Sequence, residues 1–473
     1  MRNRYDFVAI GGGSAGFNGA RIAASLGMKA AVIEGAHKLG GLCILRGCMP
    51  SKTLIYSAEV LHLARTGRDF GLRVPRASAD MPAVHARKNR IIAEFAKDRA
   101  MQLNSGKFDL IHGHARFVDS HTVELQDGRR IRARRFLIGT GSKVSTPPLP
   151  GLSTARYWTS DDVLELDFIP RSVIVLGGGI VACELAQFLA RIGTRVSIIQ
   201  RSPHLLRGHS KEASDVIRKA FADEGIEVIT HTRILGIRTG RGGASVTFRK
   251  GGRTLRRKAA HLFNALGRDP DTSRLGLGAA GIKAEDNGRI IANRWQQTTA
   301  PHVYAAGDCC GPHEIVHVAI QQAELAARHS AGVRGLKPVG EAMLLNVVFT
   351  DPQMGTIGWK EKDLVKKRIK YYSASHPFND HGKSILMNAN YGFVRVFAAA
   401  RTGRILGAEI VGKEAGELIH CFSTPIAMGA TIHDMLRAPW YHPTLSEIVT
   451  YPLAELAEKI PSRSSSATRV LRH

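Results

Sequence analysis

The first apolar run of the chain, Asp6-Phe7-Val8-Ala9-Ile10, has the length and composition of a buried strand. A glycine-rich turn from Gly11 to Gly16 follows it. Residues 14–26 then place small and apolar side chains at helical spacing, and residues 29–34 make a second strand ending in Glu34. Residues 52–64 and 82–103 predict two long helices, the second carrying many charges on one face. The stretch 108–136 has hairpin character, with Asp127-Gly128 as its turn. Residues 135–142 predict a strand that ends in a tight turn at Gly139-Thr140-Gly141. Pro147, Pro148 and Pro150 then interrupt the pattern, which places a domain crossing near Ser145.

Residues 172–182 repeat the opening pattern of strand, glycine turn and helix, and a further strand follows over 195–199. Near residues 264–270 this second unit closes, and a strand at 303–306 leads into Gly307-Asp308. From residue 344 the pattern turns to strands at 345–349, 391–398 and 405–411, with a turn at Gly403. Helices over 414–428 and 432–436 come after them. The expected fold is α/β, with two Rossmann-like dinucleotide-binding domains and a C-terminal α+β domain. Its expected boundaries are 1–145 with 273–340, then 146–272, then 341–461, leaving a Ser- and Arg-rich tail at 462–473 expected to be disordered.

The first glycine turn has the chemistry of a dinucleotide site. Gly11 turns the chain, Gly13 lets a pyrophosphate approach the backbone, Gly16 allows close helix packing, and Glu34 can accept hydrogen bonds from ribose hydroxyls. The second turn, with Gly177 and Gly179, implies a second nucleotide. Its second strand ends in Gln200 rather than an acid, with Arg201 and Arg207 beyond. A carboxylate would repel a 2′-phosphate whereas arginines bind it, so NADPH is expected over NADH.

Between the two nucleotide motifs, Cys43 and Cys48 are separated by four residues in a turn made by Gly40, Gly41 and Gly47. Pro50-Ser51 is the expected start of the next helix, with Lys52 one turn inside. A thiol at that place has its thiolate favoured by the helix dipole and the ammonium. With 6 Cys in 473 residues the chain is no disulfide scaffold, and no second pair at zinc-ligand spacing follows, so the pair reads as a redox centre and no metal site is expected. Adjacent Cys309 and Cys310 read as packing residues. Near the end, His442 and Glu447 can form a histidine held by a carboxylate, which shuttles protons.

The run Gly40-Gly41-Leu42-Cys43 to Gly47-Cys48-Met49-Pro50-Ser51-Lys52, behind a GxGxxG turn and ahead of His442-Pro443-Thr444-Leu445-Ser446-Glu447, resembles the class I pyridine nucleotide-disulfide oxidoreductases. That group includes dihydrolipoamide dehydrogenase, glutathione reductase and mercuric reductase, and the resemblance runs from about Tyr5 to Ile460. It implies FAD at Gly11, Gly13, Ser14, Ala15, Gly16, Glu34, Gly41, Thr140, Gly141 and Asp308. It implies the nicotinamide nucleotide at Gly177, Gly179, Ala182, Arg201, Arg207 and Gly267. It also implies that Cys48 faces the flavin, that Cys43 attacks the substrate disulfide and that Lys52 pairs with Glu184. A homodimer follows too, in which His442 reaches the dithiol of the other subunit.

The substrate is divided between branches. The PSK and HPTLSE segments look like dihydrolipoamide dehydrogenase, whereas Ala182, Arg201 and Arg207 look like the NADPH-using glutathione and mercuric reductases. The absence of C-terminal vicinal cysteines and of an N-terminal CxxC domain speaks against mercuric reductase.

Hydrophobic residues at 44% and charged residues at 22% describe an ordinary globular protein. No apolar run reaches the ~18 residues of a membrane span, and no signal segment precedes the first strand, so a cytoplasmic protein is expected. The net charge of +26 changes the picture of its partners. Basic residues are spread along the chain without interleaved aromatics, which favours an acidic partner, such as an acidic lipoyl protein, over specific nucleic-acid binding. A basic flavoprotein scaffold within a larger complex is the non-enzymatic alternative, against which the intact Cys43, Cys48, His442 and Glu447 argue.

Overall fold

A computed structural model describes residues 4–461, so the expectation for the 462–473 tail lies outside the described residues. The chain divides into two compact units. One holds the residues up to Ser57, Ala79–Ile169 and Phe263–Val339; the other holds Ala58–Ser78, Pro170–Leu262 and the residues from Gly340 onward.

In the first unit, strands Asp109–His112, Ala30–Glu34, Arg4–Ile10 and Arg130–Ile138 lie side by side in parallel. The last of them divides its pairing. Residues near Arg130 pair antiparallel with Thr122–Leu125, and residues 136–138 pair parallel with Val303–Ala305. Phe7, Val8, Ala9, Val32 and Leu137 are fully buried, as expected for a parallel sheet covered on both faces. Helices Ser14–Ser25 and Val316–Ser330 pack on it through Ala20, Ala23, Ala319, Ala323 and Ala326. Asp127-Gly128 does turn a hairpin. The strand Asp109–His112, however, joins Ala30–Glu34 in parallel instead of pairing within it.

The second unit contains the repeated motif, with parallel strands Glu227–Ile229, Arg195–Ile199 and Ser172–Leu176 and the helix Ile180–Ile192. An antiparallel sheet of Arg233–Gly240, Gly243–Lys250 and Arg253–Ala259 follows, which the hydrophobic pattern does not announce. The C-terminal part is a five-stranded antiparallel sheet in the order Leu345–Val348, Gln353–Gly358, Ile405–Gly412, Phe393–Ala399, Tyr371–Pro377. Helix Thr450–Lys459 covers one face through Leu453 and Leu456. The expected helix over 414–428 is broken into Ala415–Leu418, a tighter turn Ile419–Phe422, and Ser423–Met428. Pro425 explains the break, because its ring would meet the carbonyl of Cys421 in a continuous α-helix.

Helix Ile180–Ile192 is buried nearly all round and carries Glu184, Gln187 and Arg191 along one stripe. Each polar group is satisfied within the unit. Glu184 Oε1 accepts the Phe349 N–H at 2.9 Å, and Gln187 donates to Glu224 Oε1 at 2.8 Å and to the Asp351 carbonyl at 2.7 Å. Arg191 donates to Glu224 at 2.6 and 2.9 Å and to Asp351 Oδ2 at 2.8 Å.

Burial alone would raise the Asp351 carboxyl, but Arg191 and Lys413 hold it below the usual carboxylate range. A carboxyl depressed on folding adds stability above its unfolded pKa, and loses it as pH falls through the folded value. Asp351→Asn is therefore expected to cost about 3 kcal/mol at pH 7. The melting-temperature gap to the native protein should narrow below pH 4; a gap independent of pH would contradict the pairing.

Candidate active site

The first glycine turn is built for backbone-on-backbone approach. A Cβ on Gly16 would lie 1.8 Å from the Gly11 carbonyl oxygen, so no other residue lets the helix start this close to the strand. Helix Ser14–Ser25 begins after Gly13 without a side-chain cap, which leaves its first N–H groups to a ligand. Glu34 is held at its strand end by N–H groups of Gly12 and Ala36, at 2.8 and 2.7 Å.

Opposite lie Thr140 and Gly141. The Thr140 hydroxyl is buried with no hydrogen-bond partner among the described residues. Ser142 Oγ donates to Asp308 Oδ2 at 2.6 Å and accepts from Arg268 Nε at 2.8 Å. Helix Val316–Ser330, expected from about Ile315, again starts without a side-chain cap. Uncapped helix N-termini, a glycine cradle and an unsatisfied buried hydroxyl fit a bound dinucleotide, and these residues could hold FAD.

The cysteine segment reaches this cradle through Gly41, whose φ is +69° and where a Cβ would lie 2.6 Å from Gly13 Cα. Beyond it the local structure corrects the sequence reading. Cys43 lies within a short helix, Gly41–Arg46, not in a turn, and the next helix starts at Cys48, two residues before Pro50. Pro50 is tolerated there because a first-turn N–H has no helical partner. Only Cys48 therefore occupies the helix start.

The Cys43 and Cys48 thiols are hydrogen-bonded to each other. This bond, followed by burial, pushes the Cys43 thiol up. Arg99, from helix Met81–Leu103, is the cation that opposes this rise. Its guanidinium lies 4.3 Å from the centre of the Phe17 ring, and its Nη1 is buried without a partner among the described residues. Sequence reasoning missed it, since nothing in its helix distinguishes it from neighbouring basic residues. Lys52 lies one turn into the Cys48 helix, as expected.

In the second unit, Ala182 is fully buried where the first motif has Gly16. The segment after Ile199 folds back on the second glycine turn, with the Leu206 N–H donating to the Gly178 carbonyl at 2.7 Å, and exposes Arg201 and Arg207. Gly177 and Gly179 frame that turn, Gly179 preceding the uncapped helix Ile180–Ile192. Gly267 falls in the first unit, its carbonyl accepting from the Ser145 N–H at 3.0 Å. Glu184 is buried, not solvated.

His442 Nδ1 lies 2.9 and 3.0 Å from the two oxygens of buried Glu447, so Nδ1 carries the hydrogen and Nε2 is left as the base. The His442 side chain is 74% exposed. A second imidazole, His381, also approaches Glu447, at 3.4 Å. Among 20 histidines no spacing rule singles it out in the sequence. Cys309 and Cys310 are buried in the sheet core, as packing residues are, and the described residues contain no cluster suited to a metal ion.

Comparison with known proteins agrees with these features. The family model described as pyridine nucleotide-disulphide oxidoreductase matches residues 5–323, and the dimerisation-domain model of the same family matches residues 345–452. A mercuric reductase of Bacillus cereus is 32% identical over 94% of this chain and 70% of its own length. A dihydrolipoyl dehydrogenase of Thermus scotoductus is also 32% identical, over 94% of this chain and 95% of its own. The solved structure of LpdA from Mycobacterium tuberculosis superposes with a TM-score of 0.86 at 26% identity, covering 95% of this chain and 99% of that one. Two nucleotide-binding motifs, a paired-cysteine segment and a matched dimerisation domain make one whole: the chain belongs to the pyridine nucleotide-disulphide oxidoreductase family.

Proposed function

We propose that this flavin disulfide oxidoreductase is dihydrolipoyl dehydrogenase-like, exchanging electrons between NADPH and a small or protein-bound dithiol/disulfide as a cytoplasmic homodimer. The observation that carries the reading is the contact between the Cys43 and Cys48 thiols beside the first dinucleotide turn. Bound FAD would supply two-electron transfer between the nicotinamide and this pair. In the reducing direction the Cys43 sulfur attacks the substrate disulfide and releases one thiol. Cys48 then closes the Cys43–Cys48 disulfide and releases the second.

A Cys43 thiol held in its protonated form needs a base. His442 Nε2 takes that proton, and its imidazolium is supported by Glu447 through Nδ1. The exposed His442 ring suits service to the dithiol of a second subunit. Exposed Arg201 and Arg207, with Gln200 in place of an acid, support NADPH over NADH. The high positive charge suits an acidic lipoyl protein as partner. Mercuric-ion reduction is the rival that the Bacillus cereus relative brings forward; the His442–Glu447 pair favours thiol chemistry instead.

With lipoamide as acceptor, Cys43→Ser should abolish turnover while the nucleotide still bleaches the flavin, and His442→Ala should slow turnover about 10²- to 10⁴-fold. Lipoamide turnover surviving Cys43→Ser would overturn the assignment, as would mercuric-ion-dependent NADPH oxidation that is indifferent to His442→Ala. Arg201→Ala with Arg207→Ala should raise the KM for NADPH about 10- to 100-fold and leave that for NADH nearly unchanged. Equal losses with both nucleotides would remove the phosphate-binding role.

A further inference from the structure

The Glu447 carboxylate has a histidine on each side. His442 faces solvent, while His381 is fully buried, with Nε2 3.4 Å from Glu447 Oε1 and Nδ1 2.8 Å from the hydroxyl of Ser384, itself fully buried. The backbone holds the His381 ring in place. The His381 carbonyl accepts the Ile385 N–H at 3.0 Å, and the ring meets the edge of Tyr451 with centroids 5.8 Å apart. We propose that His381 is a positioning residue for the His442–Glu447 pair, presenting a second imidazole N–H to the carboxylate and so setting the pH at which His442 exchanges its proton. This rests on the reading of His442 as the proton carrier.

The tautomer follows from the partners. A lone pair on Nε2 would face a buried carboxylate at 3.4 Å, which is repulsive, whereas Ser384 O–H donating to Nδ1 leaves Nε2–H turned to Glu447 in an electrostatic contact that falls short of a formed hydrogen bond, with no other partner for Nε2 among the described residues. The titratable groups facing His381 are Glu447, His442 and His376, the last stacked on Tyr451 with centroids 4.2 Å apart. Burial lowers the His381 ring below the ordinary histidine range, with His376 and His442 adding to it and Glu447 opposing. It is therefore a neutral donor at neutral pH. A neutral N–H on Oε1 draws charge away from the carboxylate, which then supports the His442 imidazolium less. Removing the donor strengthens that support, so His442 should hold its proton to higher pH and the acid limb of disulfide turnover should move up.

The test uses the full-length flavin-bound protein with 13C-labelled histidine, the His442 resonance being assigned with His442→Ala. In His381→Leu the His442 titration midpoint should rise by about 0.5 to 1 pH unit, with the acid limb of lipoamide turnover following it. Turnover on the acid limb, below both midpoints, should fall by the matching factor of about 3 to 10, with the KM for nucleotide and the rate of flavin reduction unchanged. His381→Gln, which keeps a donor at the Nε2 position, should restore both. An unmoved His442 midpoint in the leucine variant, or a glutamine variant that behaves like leucine, would overturn the inference. Should the leucine variant fail to fold, Ser384→Ala, which frees the tautomer, should give a smaller upward shift, and no shift would count against the proposal. If native turnover is absent or survives Cys43→Ser, the catalytic reading fails, and the NMR midpoint still decides the coupling by itself.

Discussion

No side chain fits between Gly13 and Gly41, and the chemistry of the first unit depends on that exclusion. A Cβ at Gly41 would lie 2.6 Å from Gly13 Cα, and one at Gly16 would meet the Gly11 oxygen. With both positions bare, the start of a helix, the end of a strand and the cysteine segment share one small volume. The backbone just ahead of the uncapped helix Ser14–Ser25 thereby touches the segment that carries Cys43 and Cys48. The cost is conformational. Gly41 occupies the left-handed region, which only glycine enters readily.

In the second unit the equivalent constraint is polar. Helix Ile180–Ile192 could have been buried with an apolar stripe, yet it carries Glu184, Gln187 and Arg191 against residues 349–351. Buried ion pairs contribute little net stability, because the desolvation of both charges offsets their attraction. In the observed register the polar side chains of the stripe find partners, Glu184 at Phe349, Gln187 at Glu224 and Asp351, and Arg191 at Glu224 and Asp351. That register fixes the helix to the loop between strands Leu345–Val348 and Gln353–Gly358 of the C-terminal sheet. The same sheet, with the helix Thr450–Lys459, frames the His442–Glu447–His381 cluster. The Glu447 carboxylate there lies between an exposed and a buried imidazole.

Much of the fold was legible because glycine and cysteine motifs report backbone contacts directly. The positions Gly11, Gly16 and Gly41 tell where two backbones touch. Strand Gln353–Gly358 was missed because Gly355 reads as a turn residue. It is glycine for another reason, since a Cβ there would lie 2.7 Å from the Ala415 oxygen. Tyr371–Pro377 was missed because an edge strand burying only Ala374 shows little apolar pattern. The sheet from Arg233 to Ala259 was hidden by its basic residues. Arg257 occupies the same face as Val246 and pairs with Glu227, while Arg249, Arg256 and Lys258 are exposed.

At the site, the thiol shift of Cys43 and the roles of Arg99 and His381 depend on tertiary neighbours far away in sequence. Helical spacing and charge alone could not bring them forward.

The most direct measurement of the central claim is differential alkylation followed by mass spectrometry of the air-oxidised protein and of the protein reduced anaerobically with NADPH. The account predicts a Cys43–Cys48 cross-linked peptide in the oxidised form and alkylation of both residues after reduction, with Cys183, Cys309 and Cys310 unchanged. Cys43 and Cys48 alkylated equally in both forms would contradict it, since a redox pair must change its bonding when electrons arrive.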